Sequence, residues 1–444
     1  MSKIVFIGAG SAMFTKNLIG DLLTFNDIKL DTISLVDINK EKLDVMDTLV
    51  KKMCKQQKKN IKVESTTERR AVLKNADYVI CTIGVGGVEA YKKDLEIPDK
   101  YGIDQNVGDT IGPGGTFRGL RVIPEIVKIA KDMEELCPNA ILFQYSNPMA
   151  AICIALHKVS NIKTVGLCHS VQGTALQLAN YLRVPSQSVS YWCAGINHMA
   201  WYLEFKINGK DAYPDLKKLP VNQEVMDMLS EYEKDYAVFN VKVIDTVRFK
   251  IMHEFGYFVT ESPFHMSEYV PYFRKNKEAI EKLRVSKRWW LTHEMGGNDY
   301  FNELKRIINN DEYIPITKTY EYAPDIIRSI ETGVPFRSNL NVPNTGLITN
   351  LPEESCVEVP CFSDSEGIHP CYVGNLPEQC ASLNRTNINV QIMIAKAALE
   401  KKKEYIFQAI ALDPLTSALL DLDQINAMVE EMIIANKEYL KDYK

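Results

Sequence analysis

The sequence lacks the features that define several classes of protein. Its 52 basic side chains do not exceed its 57 acidic ones, and the formal net charge is −5. Without an excess of basic charge to neutralise a phosphate backbone, nucleic-acid binding is disfavoured. The chain also has no run of 18 consecutive apolar residues, so we expect no transmembrane helix and no membrane partner.

Secretory features are absent as well. The residues Met1-Ser2-Lys3 lead directly into the apolar segment Ile4–Gly8, without a basic leader or a small-residue cleavage site, and we therefore expect a cytoplasmic protein. The ten cysteines do not form paired C-x-x-C motifs. We expect most of them to be reduced core residues and not disulfides or ligands of a structural zinc.

Short β-branched runs alternate with amphipathic segments over the first 180 residues, which predicts βαβ units and a parallel sheet. The predicted strands are Lys3–Gly8, Thr32–Asp37, Lys62–Ser65, Asp77–Ile83, Ala140–Tyr145 and Lys163–Leu167. The predicted helices lie at about 12–23, 40–54, 68–74, 117–136 and 171–182.

The pattern changes near residue 188. A predicted hairpin, Val189–Cys193 with Ala200–Ile207, is followed by helical segments rich in lysine, glutamate and aromatic residues. We therefore predict an α/β protein with two domains. Residues 1–187 form a Rossmann-like, doubly wound and mainly parallel sheet domain, and residues 188–444 form a mixed α+β domain for substrate binding and oligomerisation.

A nucleotide-binding pattern follows the first predicted strand. The segment GAGSAM at 8–13 has the first two glycines of a dinucleotide fingerprint, with methionine at the third position. Gly8 permits a tight turn, Gly10 lets the backbone approach a pyrophosphate, and the helix beginning at Ser11 offers free N–H groups. Asp37 ends the second strand, where its carboxylate would bind the ribose hydroxyls and repel a 2′-phosphate. The pattern favours NAD over NADP, and an ordinary glycine turn is the alternative.

Polar residues also follow other strands of the predicted sheet. Asn147 and Cys168 each come after an apolar strand, so both would project at its carboxyl edge beside the nucleotide. Cys168 precedes a predicted helix whose dipole is expected to lower the pKa of the thiol. A thiolate and an imidazole such as that of His198 can together bind a divalent transition metal. Taken singly, each is better explained as a core residue, but the shared edge favours a site.

Nine motifs in order resemble the family 4 glycoside hydrolases, the NAD- and metal-dependent glycosidases. They are GAGS, GDTIGPGG, SNPMA, GLCHSVQGT, AGINHMAW, GYFVTES, LPEESCVEVPC, GIHP and NRTNINVQ. The resemblance covers essentially the whole chain and is greatest to melibiase-type α-galactosidases. It implies NAD and Mn2+ or another divalent metal as cofactors, with Cys168 and His198 as metal ligands. It also implies that Asn147 contacts the sugar, and that hydrolysis proceeds through transient oxidation at C3, elimination and water addition.

The chain departs from the family pattern in the residues that transfer protons. Phosphosugar-specific members place Asp or Asn directly after the metal cysteine, where this chain has His169. This favours an unphosphorylated α-galactoside and leaves Asp109 and His169 as candidates for the catalytic acid. In several members of the family the base is a tyrosine, but the matching position here is near Glu261 and Ser262. We therefore expect Glu261 as the base, with Tyr257 and His265 as alternatives. Glu261 and Asp109 would otherwise only cap turns.

Other functions stay open at this point. Within the family, α-galacturonide or α-glucoside hydrolysis is the main alternative, and Arg118 is a candidate substrate-binding residue for a charged sugar. An NAD-dependent 2-hydroxy acid dehydrogenase would use Arg118 or Arg121 to bind a carboxylate, and a non-catalytic sugar or nucleotide sensor would not need the metal pair. The expected partners are a small sugar and further copies of the chain in a homodimer or homotetramer.

Overall fold

The computed structural model describes residues 2–219, 245–283, 285 and 300–444, together with the backbone of 224–225 and 243–244. Six strands lie in the first part of the chain: β1 (Ser2–Ile7), β2 (Leu30–Val36), β3 (Lys62–Thr66), β4 (Tyr78–Cys81), β5 (Ile141–Gln144) and β6 (Lys163–Gly166). They pair in parallel in the order β3-β2-β1-β4-β5-β6. This is the strand order of dinucleotide-binding sheets, and the predicted fold class is confirmed.

Seven helices accompany these strands: α1 (Ala12–Thr24), α2 (Lys40–Gln56), α3 (Arg70–Leu73), α4 (Gly87–Lys100), α5 (Gly112–Leu136), α6 (Met149–Val159) and α7 (Ser170–Tyr181). The sequence prediction missed α4 and α6. The first eight residues of α6 are all buried, so this helix has no polar face to reveal its period. Helix α5 begins five residues before the predicted start at 117. Its first turn lies against the preceding loop, where a Cβ on Gly114 would be 2.3 Å from the Gly108 carbonyl oxygen.

The sheet continues into the second half of the chain. The further strands are β7 (Val189–Ile196), β8 (Met199–Ile207), β9 (Lys210–Asp211), β10 (Glu224–Val225), β11 (Val243–Ile244), β12 (Phe336–Pro343), β13 (Cys356–Asp364) and β14 (Gly367–Pro370). Beyond β6 the order is β12-β13-β7-β8-β9 with antiparallel pairing, while β14 pairs with β13 and β10 pairs with β11. One sheet therefore runs past the predicted boundary between residues 187 and 188. The division into two domains stays a prediction.

The second half also carries the helices α8 (Tyr213–Leu216), α9 (Thr246–Phe255), α10 (Pro263–Tyr269), α11 (Lys277–Leu283), α12 (Tyr322–Thr332), α13 (Glu378–Glu400), α14 (Lys403–Ala411), α15 (Pro414–Ser417) and α16 (Leu422–Ala435). Residues 300–309 are helical as well. Helix α13 packs against α5 and α6, so one hydrophobic core joins both halves of the chain. In the described ranges, no helix is both long and apolar enough to cross a membrane.

Candidate active site

The predicted nucleotide site lies at the carboxyl end of β1. The backbone N–H of Gly10 donates to Asp37 Oδ2 at 2.7 Å, and that of Asn39 donates to Asp37 Oδ1 at 2.8 Å. Gly8 has φ +90°, which a side chain would strain. Ser11 is the N-cap of α1 but makes no capping hydrogen bond through its side chain. The first N–H groups of α1 can therefore bind an anion.

A second part of the site follows β5 and includes the start of α5. Asn147 Nδ2 donates to Asp109 Oδ2 at 2.9 Å, and Arg118 Nε donates to the Asn147 carbonyl oxygen at 3.2 Å. The structure therefore brings these three predicted residues together. Burial raises the pKa of Asp109, but the nearby His265 and the charge of Arg118 together lower it well below its ordinary value. Asp109 is ionised at neutral pH.

The loop that carries Asp109 is held by Glu268 of α10. The buried carboxylate of Glu268 accepts the backbone N–H groups of Asn106, of Val107 at 2.7 Å and of Gly108 at 3.0 Å. Three consecutive N–H groups directed at one carboxylate fix the loop more firmly than neutral hydrogen bonds would. Sequence reasoning missed Glu268, since its partners lie about 160 residues away in the chain.

His265 of α10 lies between two carboxylates. Its Nδ1 pairs with Glu261 Oε2, and its Nε2 is 3.8 Å from Asp109 Oδ1. Burial lowers the pKa of His265, but Glu261 and Asp109 raise it far more, so the imidazole is protonated. Glu261 also accepts the N–H of Ser262 at 3.0 Å. The pKa of Glu261 is well below its usual range, because the charge and hydrogen bond of His265 outweigh its burial.

His198 occupies the two-residue turn between β7 and β8. Its φ is +63°, and its ring centroid is 4.4 Å from that of His265 in an edge-on arrangement. Tyr269 Oη is 3.4 Å from His198 Nδ1. Burial and the positive charge of His265 lower the pKa of His198 to about 4. His198 is therefore a neutral imidazole at neutral pH, which is the form that binds metal ions.

Cys168 and His169 lie between β6 and α7. Burial and the charges of Glu358 and Glu261 raise the pKa of Cys168, although hydrogen bonds from Ser170 oppose this. The prediction that the helix dipole would lower the pKa of this thiol is therefore wrong for the protein by itself, because one helix terminus does not offset burial beside two carboxyl groups. The charge of Glu261 contributes to raising the pKa of both Cys168 and His198.

The side chain of His169 is partly exposed and lies beside Glu321. Its side chain is 36% exposed, and its Nδ1 is 3.5 Å from Oε1 of the buried Glu321. Desolvation lowers the pKa of His169, but Glu321 more than compensates and raises it overall. Glu321 was not predicted as a site residue, and only the fold brings it next to His169 from more than 150 residues away.

Comparison with known proteins agrees with these features. Residues 3–184 match the model of the family 4 glycosyl hydrolases, and residues 193–416 match the model of that family's C-terminal domain. The chain is a family 4 glycosyl hydrolase. The alpha-galactosidase of Bacillus subtilis (strain 168) is 40% identical over 447 residues, covering 100% of both chains. The alpha-galactosidase of Rhizobium meliloti (strain 1021) is 34% identical, covering 99% of this chain and 89% of the relative.

A solved structure supports the fold independently. The crystal structure of a 6-phospho-alpha-glucosidase from gut microorganisms, in complex with NAD and Mn2+, superposes with a TM-score of 0.84. The two sequences are 19% identical, and the match covers 100% of each chain. The predicted resemblance is confirmed, and this family 4 enzyme is a glycoside hydrolase.

The structure also places two residues that belong to alternative interpretations of this family 4 enzyme. Arg121 forms a buried ion pair with Asp94 and donates to Asn436 Oδ1 at 2.9 Å, so its guanidinium is not available to bind a substrate carboxylate. Tyr257, an alternative base, packs its ring against Tyr213 at 6.0 Å. Of the three base candidates, His265 contacts the ring of His198, and Glu261 pairs with His265.

Proposed function

We propose that this family 4 enzyme hydrolyses unphosphorylated α-galactosides and requires NAD+ and a divalent metal ion such as Mn2+. The observation that carries the proposal is that the ring of His198 lies 4.4 Å from that of His265, which pairs with Glu261, in a protein whose sheet also presents the nucleotide site of Gly10 and Asp37. The two α-galactosidases that match the chain over nearly its full length support the choice of sugar.

The residues around Gly10 fit NAD+. A Cβ on Gly10 would stand 2.7 Å from Asp37 Oδ2, so only glycine leaves the backbone open beside this carboxylate. The uncapped N–H groups that follow Ser11 suit the pyrophosphate, and Asp37 suits the ribose hydroxyls of NAD+. NAD+ is also bound in the structurally similar 6-phospho-alpha-glucosidase.

Cys168 and His198 fit a divalent metal ion. A thiol and a neutral imidazole are donors that Mn2+, Zn2+ and similar ions accept, and the ion would favour the thiolate by lowering the pKa of Cys168. Two buried polar atoms of the site, Asn147 Oδ1 and His265 Nε2, have no hydrogen-bond partner in the protein. When bound at these residues, NAD+ would supply hydride transfer at C3 of the sugar and the metal ion would supply Lewis-acid polarisation of the neighbouring hydroxyls.

Glu261 is the proposed base that removes the C2 proton. Its contacts with Ser262 and His265 both use Oε2, which leaves Oε1 to accept a proton. The carboxylate is ionised at neutral pH, so it is in the accepting form. A carboxylate of low pKa is a weak base, and it suffices here only because a ketone at C3 makes the C2 proton acidic.

His169 is the proposed acid that protonates the leaving group. Asp109 is a poor donor because it is ionised, and its oxygens already accept from Asn147 and from Thr110 Oγ1 at 2.6 Å. His169 holds a proton more readily than a free histidine because Glu321 stabilises the imidazolium. In this assignment Asp109 orients Asn147 and takes no part in proton transfer.

A second candidate substrate is an α-galacturonide, and Arg118 is the observation that favours it. The guanidinium of Arg118 bonds to the Asn147 carbonyl and influences Asp109, so it stands beside the proposed sugar site. An arginine in this position could bind a sugar carboxylate in two hydrogen bonds.

A panel of aryl glycosides tests the proposal. The enzyme is stripped of cofactors and assayed on α- and β-galactosides, α-glucosides and α-galacturonides, with and without NAD+ and Mn2+. We expect hydrolysis of the α-galactoside only when both cofactors are present, without accumulation of NADH. Full activity after exhaustive cofactor removal would contradict the cofactor requirement, and preference for α-galacturonides would assign the second substrate. Stoichiometric NADH would indicate a dehydrogenase.

A further inference from the structure

The backbone of Glu261 is held in a conformation that side chains rarely adopt. Its φ is +140°, in a region that is otherwise used almost only by glycine. Such a conformation is energetically costly, so it persists only where surrounding contacts stabilise it, and it often marks a functional site. The residue after it, Ser262, has ordinary extended geometry and caps α10 by accepting the N–H of His265 at 3.2 Å.

The contact that stabilises this conformation comes from Arg248 of α9. Arg248 donates through Nη1 to the carbonyl oxygen of Glu261, and Thr174 Oγ1 donates to the same oxygen at 3.3 Å. Arg248 is only 1% exposed. A buried guanidinium that donates to a carbonyl forms a strong, directional hydrogen bond in a low-dielectric environment.

The guanidinium is itself fixed from two helices. Asp245 accepts from Arg248 Nε at 2.9 and 3.0 Å, and Gln177 Oε1 of α7 accepts from Nη2 at 2.7 Å. Asp245 is completely buried and also accepts the Tyr181 hydroxyl at 2.8 Å. The position of the Glu261 carbonyl is therefore set by a rigid network that reaches from α7 through α9.

We propose that Arg248 is a positioning residue, which acts through the backbone of Glu261 to hold the carboxylate against His265 and toward the sugar. The proposal rests on the proposed function in which Glu261 is the base. Arg248 hydrogen-bonds to the backbone carbonyl of Glu261 and not to its carboxylate, and the charges of the two side chains also attract each other.

The test combines Arg248→Met with Glu261→Gln in the full-length enzyme loaded with NAD+ and Mn2+. We expect Arg248→Met to lower kcat about 10–100-fold, because a displacement of about 1 Å at a reacting group has an effect of this size. The KM for the α-galactoside and the Kd for NAD+ should stay within about twofold of the wild-type values. Arg248→Lys, which can still reach the carbonyl, should recover part of kcat.

In the Glu261→Gln background, Arg248→Met should have little further effect, since interacting positions are not additive. An equal loss of kcat in both backgrounds, or wild-type kcat in folded Arg248→Met, would overturn the proposal. If Arg248→Met does not fold, Thr174→Val removes the second donor to the same carbonyl and should lower kcat by a smaller factor at unchanged KM. No change in kcat would then count against the proposal.

Failure of the base assignment is distinguishable from failure of the positioning role. Wild-type hydrolysis by Glu261→Gln would reject Glu261 as the base. A crystal structure of Arg248→Met or Thr174→Val tests the positioning role directly. We expect φ of residue 261 to move away from +140°, and an unchanged φ would reject the role of Arg248.

Discussion

Substitution of Gly10 by alanine probes the nucleotide site where the backbone and Asp37 are closest. The new Cβ would lie 2.7 Å from Asp37 Oδ2 and 3.0 Å from its Cγ, which is closer than nonbonded atoms tolerate. The carboxylate must therefore move, since it is the flexible partner. It then loses the 2.7 Å hydrogen bond from the Gly10 N–H and leaves the position from which it would bind the ribose of NAD+.

The expected loss of NAD+ affinity follows from the hydrogen bond to the ribose that the displaced Asp37 carboxylate would no longer form. Hydrogen bonds to charged groups contribute about 1.5–3 kcal/mol, which corresponds to a weakening of NAD+ binding by roughly 10–150-fold. Titration calorimetry with NAD+ measures the Kd directly, and circular dichroism checks that the variant is folded. A wild-type Kd for folded Gly10→Ala would refute the assignment of Gly10 and Asp37 to the nucleotide site.

Gly20→Ala is the matched control because it lies on the same helix, α1. A Cβ there would meet Ile316 at 3.5 Å and Met53 at 3.6 Å, which are ordinary contacts. We expect an unchanged Kd for NAD+ and a gain in stability of up to about 1 kcal/mol from the better helix former. Equal weakening of NAD+ binding by both substitutions would show that the effect is not specific to the Asp37 contact.

Three further outcomes are expected. Cys168→Ser and His198→Ala should each abolish both Mn2+ binding, measured by electron paramagnetic resonance, and activity. The Kd for NAD+ should stay unchanged, and retained Mn2+ binding would reject these residues as ligands. His169→Gln should slow hydrolysis of alkyl α-galactosides about 10²–10⁴-fold. Hydrolysis of nitrophenyl α-galactosides should slow much less, because nitrophenolate leaves without protonation. Equal losses of rate on the two substrates would argue against His169 as the acid. Burial raises the pKa of Asp413 to about 6, because the folded protein favours the protonated side chain. The stability that this protonation contributes is fully present below about pH 4 and is lost as the pH rises through 6. Asp413→Asn should therefore raise the free energy of unfolding at pH 8 by up to about 3 kcal/mol, with little gain at pH 4, as measured by urea denaturation; a loss of stability at pH 8 would contradict this.

The sequence predicted the parallel half of the fold well, because its strands are short apolar runs that end in Gly, Asp or Cys. It missed β12 and β13 since polar side chains are buried in them. Asn341 and Glu358 both lie inside these strands with no solvent exposure, which breaks the alternation that a strand normally displays. Helix α6 was missed for the opposite reason, because it is apolar on every side.

The residues of the candidate site were also predictable only in part. Gly10, Asn147, Cys168 and His198 belong to short motifs, so local sequence was enough to select them. Residues that act through tertiary contacts leave no such local pattern. Glu321, which supports His169, is an example, because its partner is determined only by the fold.

Exchange of hydrogen at C2 of the sugar tests the central claim most directly. The enzyme, loaded with NAD+ and Mn2+, hydrolyses an α-galactoside in D2O, and the galactose is analysed by nuclear magnetic resonance. Transient oxidation at C3 allows a base such as Glu261 to remove the C2 proton, so we expect deuterium at C2 of the product and no net NADH. Direct displacement at C1 never breaks the C2–H bond. Galactose that retains only protium at C2 would contradict the oxidation and elimination mechanism.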